Sequence, residues 1–113
     1  MEALHFSFTG GDAPATARPA RLVGVVASGN LEVMIEPSPR SGACTIDVNT
    51  AAEGFGSTWN AVLQDFFERH RLRDVRLSIN DAGATPATVA LRLDQAVEAY
   101  RADDDSDAGH QRS

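Results

Sequence analysis

The sequence predicts an α+β domain of two layers: a mostly antiparallel sheet with two helices packed on one face, in the order β-ββ-β-α-β-α. Three observations carry that expectation. Several short runs alternate apolar with polar residues, the period of a half-buried strand. Two other segments place apolar residues at helical spacing. Runs of strands followed by helices favour helices gathered on one face of an antiparallel sheet. The chain has 113 residues, 42% hydrophobic and 23% charged, which fits one globular domain with a limited core. The expected domain spans 1–102, followed by an acidic tail at 103–113.

Leu4, Phe6 and Phe8 alternate with small or polar neighbours and mark the first strand. Gly10-Gly11-Asp12-Ala13-Pro14 ends it, and the Ala/Pro-rich segment to Pro19 reads as a connecting loop. Leu22 to Ala27 is valine-rich and nearly all apolar, so it reads as a buried strand. Leu31, Val33 and Ile35 alternate with Glu32, Met34 and Glu36, a strand with one wet face. Gly29-Asn30 between these two suits a two-residue hairpin turn, which sets Ser28 opposite Leu31 at the last ladder position. Pro37-Ser38-Pro39 ends the second arm. Cys44, Ile46 and Val48 share the inner face of the next strand, with Cys44 a small buried apolar side chain.

Trp59, Val62, Leu63, Phe66, Phe67 and His70 form one helical stripe, with Ser57 or Thr58 as the expected N-cap. Phe55, just ahead of it, is counted with this aromatic core. His70 falls in the last turn, where the helix dipole favours a cationic ring. Val75, Leu77 and Ile79 alternate as another half-buried strand, and Asn80-Asp81-Ala82-Gly83 turns the chain. Thr85-Pro86 reads as an N-cap followed by proline at the first helical position. Val89, Leu93, Ala96, Val97 and Tyr100 mark that helix's inner face. Val89, Leu91 and Leu93 also alternate, so a strand over Thr88–Leu93 competes; the helix is favoured by length and start signal. The segment Asp103-Asp104-Asp105-Ser106-Asp107, like the six residues after it, has no apolar anchor and reads as a disordered tail.

The net charge of -6 repels phosphate backbones and anionic surfaces, so neither nucleic acid nor membrane is an expected partner. No apolar run approaches bilayer length. The start, Met1-Glu-Ala-Leu-His, has no signal-peptide character, and a cytoplasmic location is expected. One cysteine and three scattered histidines give no metal-ligand spacing, so no metal is expected. Val26 and Asn30 stand where a nucleophile elbow around Ser28 would need glycine. No neighbouring base would activate Ser28 either. The chain therefore reads as non-catalytic, with a serine at a hairpin tip open to another enzyme.

The stretch Val23-Gly-Val-Val-Ala-Ser28-Gly29-Asn30-Leu-Glu-Val-Met-Ile-Glu-Pro37 resembles the prosthetic-group segment of the malonate decarboxylase acyl carrier (delta subunit) family. A second stretch, Ser78-Ile-Asn-Asp81-Ala-Gly-Ala-Thr-Pro86 with Val89-Ala-Leu-Arg-Leu-Asp-Gln95, is similar to that family's Asp-x-Gly-Ala-Thr-Pro segment and the helix after it. The resemblance covers Leu22 to Tyr100 in order. The citrate lyase gamma subunit, another acyl carrier, resembles the Ser-Gly corner more distantly and is the alternative. One departure stands out: Asn30 occupies a position where the family usually has aspartate.

The resemblance implies that Ser28 carries phosphoribosyl-dephospho-CoA through a phosphodiester. A holo-carrier synthase would attach it from triphosphoribosyl-dephospho-CoA. The Gly29 and Asn30 amides would face the phosphate charge as a backbone nest does. The arm's thiol would hold acetyl, a transferase subunit would exchange acetate for malonate, and decarboxylase subunits would release CO2. In that scheme the chemistry belongs to the cofactor and the protein supplies position. A reading from another class is a non-catalytic adaptor that docks a partner through its sheet face or tail.

Overall fold

The computed structural model describes the backbone of residues 1–14, 23–28 and 30–112, and the side chains of 1–12 and 30–100. The strands are β1 (Glu2–Thr9), β2 (Ala13–Pro14), β3 (Val23–Ser28), β4 (Leu31–Pro37), β5 (Ala43–Thr50), β6 (Leu72–Arg73) and β7 (Val75–Asp81). The helices are α1 (Gly56–His70) and α2 (Pro86–Arg112). Five strands form one sheet in the order β1-β5-β7-β4-β3. Its pairs are antiparallel except β5 and β7, which run parallel. The α1 segment supplies the crossover that a parallel pair requires. The expected α+β arrangement with a mostly antiparallel sheet is present. The two-residue strands β2 and β6 pair separately; they are too short to leave a periodic signal in the sequence.

Alternation decides which face is dry. Leu31, Val33 and Ile35 of β4, Cys44, Ile46 and Val48 of β5, and Val75, Leu77 and Ile79 of β7 are all buried beneath the helices. The opposite face is polar: His5 Nδ1 lies 2.6 Å from an Asp47 oxygen, and Arg76 reaches Asp47 at 3.2 Å. Burial pushes the Cys44 thiol up to about 12, the behaviour of an inert core side chain.

Helix α1 buries Trp59, Leu63, Phe66 and Phe67, as its stripe predicts. Phe67 stacks on Phe8 of β1 with ring centroids 5.1 Å apart. Two expectations at its start fail. The helix begins at Gly56 with Phe55 as N-cap and no side-chain cap bond, so neither Ser57 nor Thr58 caps it. Phe55 is 52% exposed; it precedes the first helical turn, where no apolar face yet exists to pack it. At the other end Arg71 adopts a left-handed conformation and its N–H donates to the Phe67 carbonyl. Gly11 runs so close to this turn that an added Cβ would strike the Arg71 and Leu72 carbonyl oxygens.

Helix α2 starts at Pro86, with the Thr88 N–H donating to Thr85 Oγ1 at 3.2 Å. This is the predicted cap, and Thr88–Leu93 is helical. Val89, Leu93, Ala96, Val97 and Tyr100 are buried. The helical backbone runs on through 103–112, the segment that the sequence assigns to a disordered tail. Extending an anchored helix adds a hydrogen bond per residue without a new nucleus, and no proline interrupts the stretch. The helices are clamped by charge: Asp94 accepts from Arg69 Nη1 at 2.5 Å and lies 2.8 Å from His70 Nε2. Among the described residues no helix is long and apolar enough to cross a membrane.

Candidate functional site

Ser28 is the last residue of β3, and its Cα partner is Leu31, the register that a two-residue turn requires. The ladder shifts register between Val23 and Val26, so this corner pairing differs from that at the far end. Gly29 and the Ser28 side chain lie outside the described residues. Asn30 is exposed, and its backbone carbonyl accepts a hydrogen bond from the Ala82 N–H at 2.8 Å. The turn is thereby fastened to the loop that follows β7.

The register carries this corner straight across the sheet. Ser28 pairs with Leu31, Leu31 with Asp81, Asp81 with Thr50, and Thr50 with Glu2. Two residues of that row, Thr50 and Asp81, are buried polar groups. Asp81 Oδ2 accepts from the Thr50 hydroxyl at 2.8 Å. Its Oδ1 accepts from the Gly83 and Ala84 N–H groups at 3.2 and 2.8 Å. Thr50 Oγ1 in turn accepts from the Ala52 N–H at 3.1 Å. One carboxylate thus closes the ends of β5 and β7 and shapes the loop leading to α2. Gly83, at φ 113°, lets that loop turn sharply. Sequence pattern alone marks Asp81 only as a turn residue; the available signal is its place ahead of Ala-Gly-Ala, where an Asx-type turn captures following N–H groups.

Two hollows flank the row. Between the N-terminal ends of α1 and α2 is a cavity of about 390 Å³. Thr50 and Asp81 line it, with Phe55, Trp59, Val62, Ala84, Pro86 and Val89 among its apolar walls. A more open cleft of about 520 Å³ lies beside the corner, where Asn30, Glu32, Asn49 and Asn80 contribute polar groups. There Asn80 Nδ2 donates to Glu32 Oε1 at 3.2 Å.

No described histidine belongs to the Ser28 row. His5 is bonded to Asp47 on the wet face, and His70 to Asp94 between the helices. The His5 bond comes first in holding the Asp47 carboxyl below its ordinary value, with Arg76 adding to it. Burial works against ionised Asp94, yet its bonds from His70 and Arg69 outweigh that and keep its carboxyl low. Both carboxylates are committed to structure. The side chain of His110 lies outside the described residues.

The corner is thus a turn fastened at its own backbone, at the end of a row that holds two buried polar groups. The model of the malonate decarboxylase delta subunit (MdcD) family matches residues 18–100, which span the corner, both helices' buried faces and the loop after β7. This chain belongs to that family. It is 62% identical over 98 residues to the malonate decarboxylase acyl carrier protein of Stenotrophomonas maltophilia (strain K279a), covering 87% of this chain and 92% of that protein. It is 55% identical over 104 residues to the protein of that name from Xanthomonas campestris pv. campestris (strain B100), covering 92% and 99%. A chain in the crystal structure of a Pseudomonas malonate decarboxylase hetero-tetramer in complex with malonate superposes with a TM-score of 0.68 at 37% identity, covering 87% of this chain and 97% of that one.

Proposed function

We propose that this chain is the acyl carrier subunit of a malonate decarboxylase, and that Ser28 carries phosphoribosyl-dephospho-CoA as its prosthetic group. The observation that supports the reading most is the coincidence of the family match with the Ser28–Leu31 corner. The residues present fit an attached group. Ser28 ends its strand, the turn is tied to the Ala82 N–H, and the open cleft beside Asn30 leaves room for an arm.

Attachment is a phosphoryl transfer to the serine oxygen. The Ser28 hydroxyl attacks the phosphorus of triphosphoribosyl-dephospho-CoA that bears the ribose 5′ oxygen. An O–P bond forms, the bond to the pyrophosphate leaving group breaks, and the hydroxyl proton passes to a base of the holo-carrier synthase. The Gly29 and Asn30 amides are the groups placed in sequence to meet the resulting phosphodiester charge. Once bound, the arm supplies a thiol that holds acetyl and malonyl groups as thioesters. This chain's residues anchor and orient it, and none is assigned a catalytic role. The partners are the acyl-transferase and decarboxylase subunits, met in the cytoplasm.

Intact-mass measurement on protein from its native host tests this. An adduct of phosphoribosyl-dephospho-CoA is expected, and it is absent from Ser28→Ala. Protein that remains unmodified when co-produced with the full set of subunits and the synthase overturns the reading.

A further inference from the structure

We propose that the cavity between the N-terminal ends of α1 and α2 holds the adenine of the arm, parking its nucleotide end against the carrier. The proposal rests on the function proposed above and adds a second, non-covalent site for the same group.

Position is the first argument. Thr50 and Asp81 line this cavity and belong to the register row of Ser28. From β3 to β7 is two strand spacings, about 10 Å. The corner is also bonded to the cavity wall: Asn30 accepts from Ala82, whose neighbours Asp81, Gly83 and Ala84 line the cavity. Adenosine is the part of the arm nearest the serine, separated from it by the phosphoribosyl link. The thiol is at the far end.

Chemistry is the second argument. The lining is mainly apolar and includes two aromatic rings, Trp59 and the exposed Phe55. Among the described residues it holds no Lys, Arg or His, and its one charged group is the Asp81 carboxylate. A pyrophosphate or a malonyl carboxylate placed there would meet like charge with no counter-ion. A flat, uncharged purine would meet the aromatic side chains of Phe55 and Trp59, with Thr58 also in the wall. The volume, about 390 Å³, falls within the range of small-ligand pockets. Phe55 also gains a role here. As a core residue it is misplaced; as one face of a purine slot its exposure is functional.

Holding the adenine leaves the pantetheine free to visit partner sites while shortening the untethered arm, which raises the thiol's effective concentration at each. Holding the acyl end would instead require the arm to fold back and would bury a malonyl carboxylate beside Asp81.

The test uses the full apo chain, with adenosine and pantetheine titrated separately. Trp59 is the only tryptophan, so its emission reports on the cavity directly. Adenosine should change that emission saturably at about millimolar concentration, the effective concentration of a short tether. Pantetheine should leave it unchanged. Phe55→Ala should weaken the adenosine response about fivefold, the worth of one aromatic pair. Because Phe55 is exposed, circular dichroism should show its fold intact, and Ala84→Leu, which narrows the cavity from the opposite wall, provides a second variant. No saturable adenosine response overturns the proposal, and so does a pantetheine response equal to or greater than adenosine's. Neither result depends on whether Ser28 is modified, whereas the mass measurement alone decides the carrier function.

Discussion

Replacing Asp81 with alanine should unfold this domain several degrees earlier, and the magnitude derives from its partners. Its carboxylate accepts three hydrogen bonds: one from the fully buried Thr50 hydroxyl and two from the Gly83 and Ala84 amides. Thr50 is fully buried in the native fold, and leaving such a donor unpaired costs about 1–3 kcal/mol. The two loop amides border solvent and recover water, so each loses about 0.5 kcal/mol. The sum is about 2–4 kcal/mol. For a domain near this size that lowers the midpoint by roughly 4 °C per kcal/mol, or about 8–16 °C. Thermal unfolding followed by circular dichroism at neutral pH measures it. Asp81→Asn keeps an acceptor for Thr50 and should lose less than half as much. Thr50→Val in the Asp81→Ala background removes the orphaned hydroxyl, although it also strips the Ala52 N–H of its acceptor. Little further loss is therefore expected beyond the single variant. A midpoint for Asp81→Ala within about 2 °C of the parent would refute the reasoning, because the row would then close without the carboxylate.

Ser28→Ala should leave stability within about 0.5 kcal/mol, read as an unchanged unfolding midpoint; a larger loss would mean that Ser28 supports the hairpin. Asn30→Asp should be equally silent in stability, since the corner is held by the residue 30 carbonyl rather than its side chain, and a midpoint shift above about 4 °C would contradict this. Cys44 is fully buried with its thiol pushed to about 12, so a thiol reagent at pH 8 should label the native protein negligibly and the denatured protein fully. Stoichiometric native labelling would show that the core opens. Asp94 and Asp47 have folded values lowered from the ordinary 3.8. The unfolded chain therefore binds protons first, and the stability these carboxylates contribute is present above about pH 4. It is lost as pH falls through the lower folded values, so Asp94→Asn should flatten the acid limb of a stability–pH curve. An unchanged limb would show the clamp to be passive.

Local pattern makes most of the fold legible. Strands β4, β5 and β7 each have one face against the helices, and that alternation is printed in residues such as Val75, Leu77 and Ile79. The Ser28–Leu31 register is legible from a two-residue turn, because that turn length leaves one pairing. The hidden part depends on chain segments that sequence keeps apart. Nothing near Asp81 announces that Thr50, 31 residues earlier, will lie beside it; that neighbourhood exists because α1 carries the chain over to lay β7 parallel to β5. The same holds for Asp94, whose partners Arg69 and His70 sit on the other helix. Phe55 misleads because aromatic content suggests core, whereas a residue ahead of the first helical turn has no helical face to follow.

The corner explains why a carrier would be built on a sheet. Among the described residues its edge strand, β3, pairs with β4 alone, and an edge strand is the side from which a second protein can approach. A free edge would ordinarily also leave the tip loose. Here the tip is fixed from the opposite flank: residue 30 bonds through its carbonyl to Ala82, and the loop bearing Ala82 is fixed by Asp81 to the buried end of β5. Main-chain fastening makes the anchor indifferent to whether residue 30 is asparagine, as in this chain, or aspartate. The exposed side chain at that position takes no part in this bond. Access and rigidity, which compete at an ordinary hairpin tip, are assigned to different strands.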